Sequence, residues 1–296
     1  MTTTLLLRDC IEDASERFER VDLFYGHGTD NSWDEAVYLV FSALGLSFLE
    51  DDSVMSRVVT VEEAVRISSL VDRRINEHIP VAYLVGEAWF GGLPFRVDSR
   101  VLIPRSPIAE LIADRFVGLL SDEPLKILDL CTGSGCIGIA CAVAFPAAQI
   151  DLADISVDAL ALARENVRRH EAQGRVSVIQ SDLFDQLQTS YDLIVTNPPY
   201  VSREEVDELP LEYRHEPELG LVSDDGGLDI PVKILRKAAT FLNEGGVLIL
   251  EVGYSWNALA NRFPDVPFLW LEFANGGEGV CMLTRQQLLD STQLFN

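Results

Sequence analysis

From Leu125 to Thr284 the chain alternates short apolar runs with longer segments of helical period, and this alternation limits the possible folds more than any other feature. Residues 127–130, 150–155, 176–180, 191–196 and 247–252 read as strands, and 136–145, 156–170 and 228–242 as the helices between them. Strands joined through helices pair in parallel, with helices covering both faces of the sheet. The runs 268–273 and 279–284 flank Asn275-Gly276-Gly277, a hairpin sequence, and predict an antiparallel edge strand. Gly245-Gly246 is expected to end the helix 228–242. The fold class predicted for residues 106–296 is therefore α/β, a Rossmann-like, mostly parallel sheet with an antiparallel edge strand.

The first 87 residues have a different period. Apolar residues recur at helical spacing through 5–24, and Asn31 or Ser32 can cap a helix carrying Trp33, Val37, Val40 and Leu44. Thr60 followed by Glu63 makes a capping box ahead of Val65, Ile67, Leu70 and Val71. We expect a small N-terminal helical domain over 1–87 and a hairpin-like connector over 88–105, turning at Gly91-Gly92 and ending at Pro104 and Pro107. Residues 201–227 lack clear periodicity and are rich in acid, the pattern of a lid or binding loop. Arg214 and His215 stand out in this stretch, and His215 reads as a surface residue.

Composition enters through charge. The chain carries a formal net charge of −24, which opposes binding to a phosphate backbone and favours basic partners. Its five cysteines are odd in number and form no CxxC pair, as in a reducing compartment, so a cytoplasmic location is expected. Asp9, Glu12, Asp13 and Glu16 stand where a signal peptide needs an apolar run, and no membrane span is expected. The histidines and cysteines show no metal-ligand spacing, so no metal is expected. Cys131, Cys136 and Cys141 read as core thiols.

Four short motifs sit where such sheets bind ligands, at the carboxyl ends of the strands. Cys131-Thr132-Gly133-Ser134-Gly135 follows the first strand, and its glycines let the backbone approach a ligand. A third glycine in dinucleotide spacing is missing, so the turn suits a ligand without phosphates. Asp154, about 20 residues on, can accept ribose hydroxyls. Asp182 and Leu183 follow the third strand, where a carboxylate can accept an adenine amino group beside an apolar wall. Asn197-Pro198-Pro199-Tyr200 follows the fourth. Its prolines fix the backbone and leave carbonyls free to accept. With the Asn197 side chain they can hold both hydrogens of a planar amide or amine against the Tyr200 ring.

With these motifs the chain resembles the class I S-adenosylmethionine-dependent methyltransferases that carry Asn-Pro-Pro-Tyr. The helical N-terminal segment, Val101-Leu102-Ile103-Pro104-Arg105 and Glu216-Pro217 resemble the protein glutamine methyltransferase branch. Tyr25-Gly26-His27-Gly28-Thr29-Asp30-Asn31 and Arg105-Ser106-Pro107 are similar to the members acting on ribosomal protein L-three of the large subunit. The resemblance implies S-adenosyl-L-methionine as cofactor, held by Cys131, Thr132, Gly133, Ser134, Gly135, Asp154 and Asn197. It implies a glutamine amide held by Asn197, Pro198, Pro199 and Tyr200, a basic ribosomal protein as partner, and substrate recognition by residues 1–87. Leu183 departs from the Trp common in release-factor enzymes. Two alternatives share the motif: glutamine methylation of a release factor, and adenine methylation of DNA, which the acidic charge opposes. A cofactor-binding subunit without activity is a third, and the intact Asn197–Tyr200 motif speaks against it.

Overall fold

The computed structural model describes residues 4–295. Two compact units form. One takes the residues up to Ala88 with Val97–Ser99 and Pro210–His215; the other takes Trp89–Arg96, Arg100–Leu209 and the residues from Glu216 onward.

The first unit is helical: α1 (Leu7–Glu19), α2 (Ser32–Leu44), α3 (Val61–Glu77) and α4 (Val81–Val85). Asn31 is the residue that caps α2, its Oδ1 accepting from Asp34 N at 2.9 Å. Thr60 and Glu63 form the expected capping box of α3. Leu7, Ile11, Ala14 and Phe18 make the buried stripe of α1, at the spacing that keeps one helix face inward. On α3 the stripe runs Ile67, Val71, Arg74, so its third place is an arginine only 1% exposed. Arg74 is matched by carboxylates: Nε donates to Glu35 of α2, and Nη1 donates to Glu212 Oε1 at 2.8 Å. Its Nη2 donates to Phe24 O at 3.0 Å. A buried charge needs this kind of pairing to be tolerated.

Glu212 belongs to a 3₁₀ turn, Leu211–His215, within the stretch expected as one acidic loop. The turn folds with the helical unit because Glu212 also accepts from Phe24 N at 3.1 Å, and the Tyr213 ring lies 4.8 Å from that of His27. His215 is tied as well, its Nε2 lying 2.8 Å from Glu77 O. Residues 201–227 are thus partly ordered rather than structureless, and they divide between the two units.

β1 (Glu87–Phe90) and β2 (Leu93–Arg96) form a two-stranded ribbon across Gly91-Gly92. The second unit continues through α5 (Ile108–Ala113), β3 (Lys126–Leu130), α6 (Cys136–Ala144), β4 (Gln149–Asp154), α7 (Val157–Arg169), β5 (Val176–Gln180) and β6 (Tyr191–Thr196). Short helices α8 (Arg203–Val206) and α9 (Glu218–Leu221) precede α10 (Asp229–Phe241). β7 (Leu242–Glu251), α11 (Trp256–Arg262), β8 (Leu269–Trp270), β9 (Val280–Thr284) and α12 (Arg285–Asp290) follow. The sheet order is β5-β4-β3-β6-β7-β9-β8, parallel from β5 to β7. β9 runs antiparallel to β7, and the two-residue β8 antiparallel to β9 at the edge.

Alternate residues of each strand enter different cores. Ile127, Ile150, Val195 and Ile249 pack with Ile108, Ile139 and Val167 on one face. Leu128, Ala153, Ile194 and Leu250 pack with Ile234, Leu259 and Leu288 on the other. Strands buried on both faces read as continuous apolar runs, which is why they were visible in the sequence. One expectation is corrected. Gly245-Gly246 does not end a helix. α10 stops at Phe241, and the glycines lie in β7, where the register against β6 jumps between Tyr191 and Leu193. A Cβ on Gly246 would stand 2.9 Å from Asn243 O and 3.0 Å from Tyr191 O, so the bulge favours glycine there.

Candidate active site

The carboxyl ends of β3, β4 and β6 meet around one pocket. After β3 the chain turns sharply, with Cys131 at φ 60, Gly133 at 54 and Gly135 at 84. Left-handed backbone is costly for a residue with a Cβ, so Cys131 is held by its surroundings. Thr132 N donates to Ala153 O at 3.0 Å, tying the turn to β4. Thr196 Oγ1 donates to Leu130 O at 2.7 Å, tying β6 to the same place.

Asp154 ends β4. Its Oδ2 accepts from Gly133 N and its Oδ1 from Ser156 N, each at 2.9 Å. Burial pushes its carboxyl above the ordinary value, against those backbone hydrogen bonds. Asp129, fully buried on β3, accepts from Thr132 Oγ1 at 2.5 Å and Gly138 N at 2.8 Å. Burial drives its carboxyl up to about 7, and its Oδ1 has no hydrogen-bond partner among the described residues.

The pocket is lined by Cys131, Thr132, Gly133, Ser134, Asp154, Asp182, Leu183, Asn197 and Pro199, so most of the expected residues converge. Leu183 also takes a positive φ of 46. Three expected residues do not line it. Gly135 caps α6 from behind the turn, where a Cβ would stand 3.2 Å from Leu152 and Ile139. Pro198 is buried. Tyr200 turns toward β7. Its hydroxyl lies 3.3 Å from Glu251 Oε1, and Ser255 Oγ donates to its carbonyl at 2.9 Å. A Cβ on Gly253, at φ 44, would come within 2.6 Å of the Tyr200 ring.

Two features escaped the sequence reading. The strap Arg100–Ser106 forms a wall of the pocket together with Pro217 and Gly220. It is clasped by Glu216, which takes Arg105 in a fork at 2.6 and 2.7 Å and accepts from Ile103 N at 3.0 Å. The second is Glu251, 4% exposed at the end of β7, which accepts from Ser106 Oγ at 2.5 Å. Burial raises its carboxyl to about 7. An acid closing an otherwise apolar strand was the available signal for Glu251. Nothing local in the sequence signals that Arg105 and Glu216 pair.

Burial holds the Cys131 thiol well above the ordinary range and Asp154 adds to the effect, the opposite of the shift that activates a thiol. Among the described residues no group of three or more His, Cys, Asp or Glu is placed to hold a metal. The pocket joins acceptors (Asp154, Asp182, Asn197) to apolar walls (Ile137, Leu183, Ile230). A phosphate at this glycine turn would meet Asp154. A cationic nucleoside without phosphates fits those acceptors, and the sulfonium nucleoside S-adenosylmethionine is such a ligand.

A doubly wound sheet with a glycine turn after its first strand, an acid ending the second and Asn-Pro-Pro-Tyr after the fourth defines a class I methyltransferase, and methyltransferases of this fold use S-adenosylmethionine. Residues 113–211 match the family model "Methyltransferase small domain". The ribosomal protein uL3 glutamine methyltransferase of Francisella tularensis subsp. tularensis (strain SCHU S4 / Schu 4) is 45% identical over 98% of this chain and 93% of its own. That of Neisseria gonorrhoeae (strain ATCC 700825 / FA 1090) is 45% identical over 96% of this chain and 95% of its own. A methyltransferase structure from Pyrococcus furiosus, 19% identical, covers 66% of this chain and 89% of that one at a TM-score of 0.48. The chain belongs to the ribosomal protein uL3 glutamine methyltransferase family.

Proposed function

We propose that this enzyme methylates the side-chain amide nitrogen of a glutamine in ribosomal protein L-three, using S-adenosyl-L-methionine. The observation that carries the reading is Asn197-Pro198-Pro199-Tyr200 at the end of β6, whose Asn197 and Pro199 line the pocket beside Asp154 and the glycine turn. When bound, the cofactor supplies an electrophilic methyl group on a sulfonium. Asp154 would accept from its ribose, the turn Cys131–Gly135 would pass its backbone beside it, and Asp182 and Leu183 would face its base.

Asn197 and the Pro198 carbonyl would take the two amide hydrogens, with Tyr200 packed on the amide plane. An amide nitrogen is a poor nucleophile because its lone pair is shared with the carbonyl. Holding it in line and close to the methyl therefore supplies much of the rate, on the order of several kcal/mol. The nitrogen becomes acidic once methylated and its proton passes to water, so this chemistry needs no strong base.

The charge of −24 suits a basic ribosomal protein and repels DNA. A substrate of this kind is met in the cytoplasm. Residues 1–87 are proposed as the substrate-recognition part, and no helix of the described residues is long and apolar enough to cross a membrane. The test offers the enzyme and labelled cofactor to L-three, to a release factor and to duplex DNA, with mass spectrometry to locate the methyl. We expect a methylated glutamine in L-three. Preference for the release factor would change the acceptor, and methylated adenine would overturn the chemistry as well.

A further inference from the structure

β7 sends Val247 and Ile249 into one core, and the next residue of that row is Glu251. An apolar side chain would suit this place. A carboxyl there pays desolvation unless its neighbours answer it. Two hydroxyls do so. Ser106 Oγ lies 2.5 Å from Oε2, and Tyr200 OH lies 3.3 Å from Oε1. Ser106 ends the strap that walls the pocket, and Tyr200 ends the Asn-Pro-Pro-Tyr motif. One buried carboxyl thus holds the last residue of each.

We infer that Glu251 is a positioning residue for methyl transfer: it fixes the Tyr200 ring and the Ser106 end of the strap so that the acceptor amide is held in line. The inference rests on the glutamine-methylation reading, because it gives Tyr200 an amide to pack against. Glu251 acts through these two hydroxyls and takes no proton from the substrate. The rest of the Tyr200 cradle agrees with such a role. Ser255 fixes the Tyr200 carbonyl, and the Tyr200 ring lies so close to Gly253 that a Cβ there would come within 2.6 Å of it.

The charged and titratable groups facing Glu251 are Arg105, which favours its ionised form, and the Tyr200 phenol. The Arg105 guanidinium is itself clasped by Glu216. Burial outweighs these influences, so the carboxyl changes charge near neutrality. Ionised, it accepts from both hydroxyls. Protonated, it gives up acceptor capacity to one of them.

The experiment has two arms. The first follows the Tyr200 ring carbon bearing the hydroxyl by NMR on ¹³C-tyrosine protein, without any acceptor, assigned with Tyr200→Phe. The resonance is expected to shift through a titration near pH 7 in the wild type and to stay flat in Glu251→Gln. The second arm measures kcat and KM on L-three for Glu251→Gln, Tyr200→Phe and the double variant, with cofactor affinity by calorimetry. Each single change should lower kcat roughly tenfold with KM and cofactor affinity little altered, and the double variant should lose no more than either. A Tyr200 resonance that ignores pH in the wild type, wild-type kcat in Glu251→Gln, or losses that multiply in the double variant would each overturn the inference. If Glu251→Gln does not fold, the pH response of the Tyr200 resonance in the wild type still decides. If wild-type protein failed to methylate L-three, the acceptor assignment would fall and the titration would still judge Glu251.

Discussion

The helical unit and the catalytic unit both bury carboxylates, and they answer the charge by different means. In the helical unit Glu35 and Glu212 meet Arg74, so each buried carboxylate is paired with a cation from within. For Glu212 burial raises the carboxyl, but Arg74 and the Phe24 N–H outweigh it and leave it below its ordinary value. In the catalytic unit Asp129, Asp154 and Glu251 are held by hydroxyls and backbone N–H groups, and burial wins, leaving all three raised. Carboxylates matched to a cation are spent on holding a fold. Carboxylates answered only by hydroxyls and backbone N–H groups keep a raised carboxyl, a perturbation common near functional sites.

The largest effect should come from breaking the helical cluster. Arg74→Ala leaves Glu35 and Glu212 buried without their cation, and we expect a loss of about 3–5 kcal/mol of stability by denaturant unfolding. A loss under about 1 kcal/mol would show that the cluster does not carry the unit. Asn197→Ala should do the opposite, sparing stability while reducing turnover by roughly 10²-fold, about 2.7 kcal/mol of barrier. Near wild-type turnover on L-three would remove Asn197 from the proposed amide site. Asp154→Ala should weaken S-adenosylmethionine binding by about 1.5–3 kcal/mol for each charge-assisted hydrogen bond lost, read by calorimetry.

The smallest effect is also the most diagnostic, because the two regions should respond to pH with opposite sign. Glu251 is raised from 4.5 to about 7, so the folded protein binds more protons than the unfolded chain in that window. Its ionisation therefore costs stability as pH rises from about 4.5 to about 7. Wild type should lose stability against Glu251→Gln across this range, by a few kcal/mol at most. Glu212 is lowered, so its contribution is present above 4.5 and is lost as pH falls through its folded value. Wild type should gain against Glu212→Gln as pH rises through that lower window. Urea titrations of the three proteins from pH 3 to pH 8 measure both differences, and slopes of the same sign would erase the distinction between the two regions.

Much of this was readable in advance for definite reasons. The strands of the catalytic unit are buried on both faces, so they appear as apolar runs wherever they lie. The turn after β3 and the Asn-Pro-Pro-Tyr loop depend on glycine and proline, whose backbone limits are local. The acidic stretch 201–227 was harder. Its turns are short, and the placement of Leu211–His215 depends on Arg74, more than 130 residues away.

The sequence by itself determined the doubly wound sheet, the capped helices of the first unit and the pocket-lining Asp154, Asp182 and Asn197, because period, caps and strand ends are properties of neighbouring residues. Tertiary structure decided the rest. It chose Gly245-Gly246 as a bulge in β7 rather than a helix stop, where the carbonyls of Asn243 and Tyr191 crowd Gly246. It turned Tyr200 toward Glu251, joined Arg105 to Glu216, and gave Arg74 a place in a core. Each of these couples residues far apart in the chain, and whether a buried charge is tolerated depends on which groups folding brings to meet it.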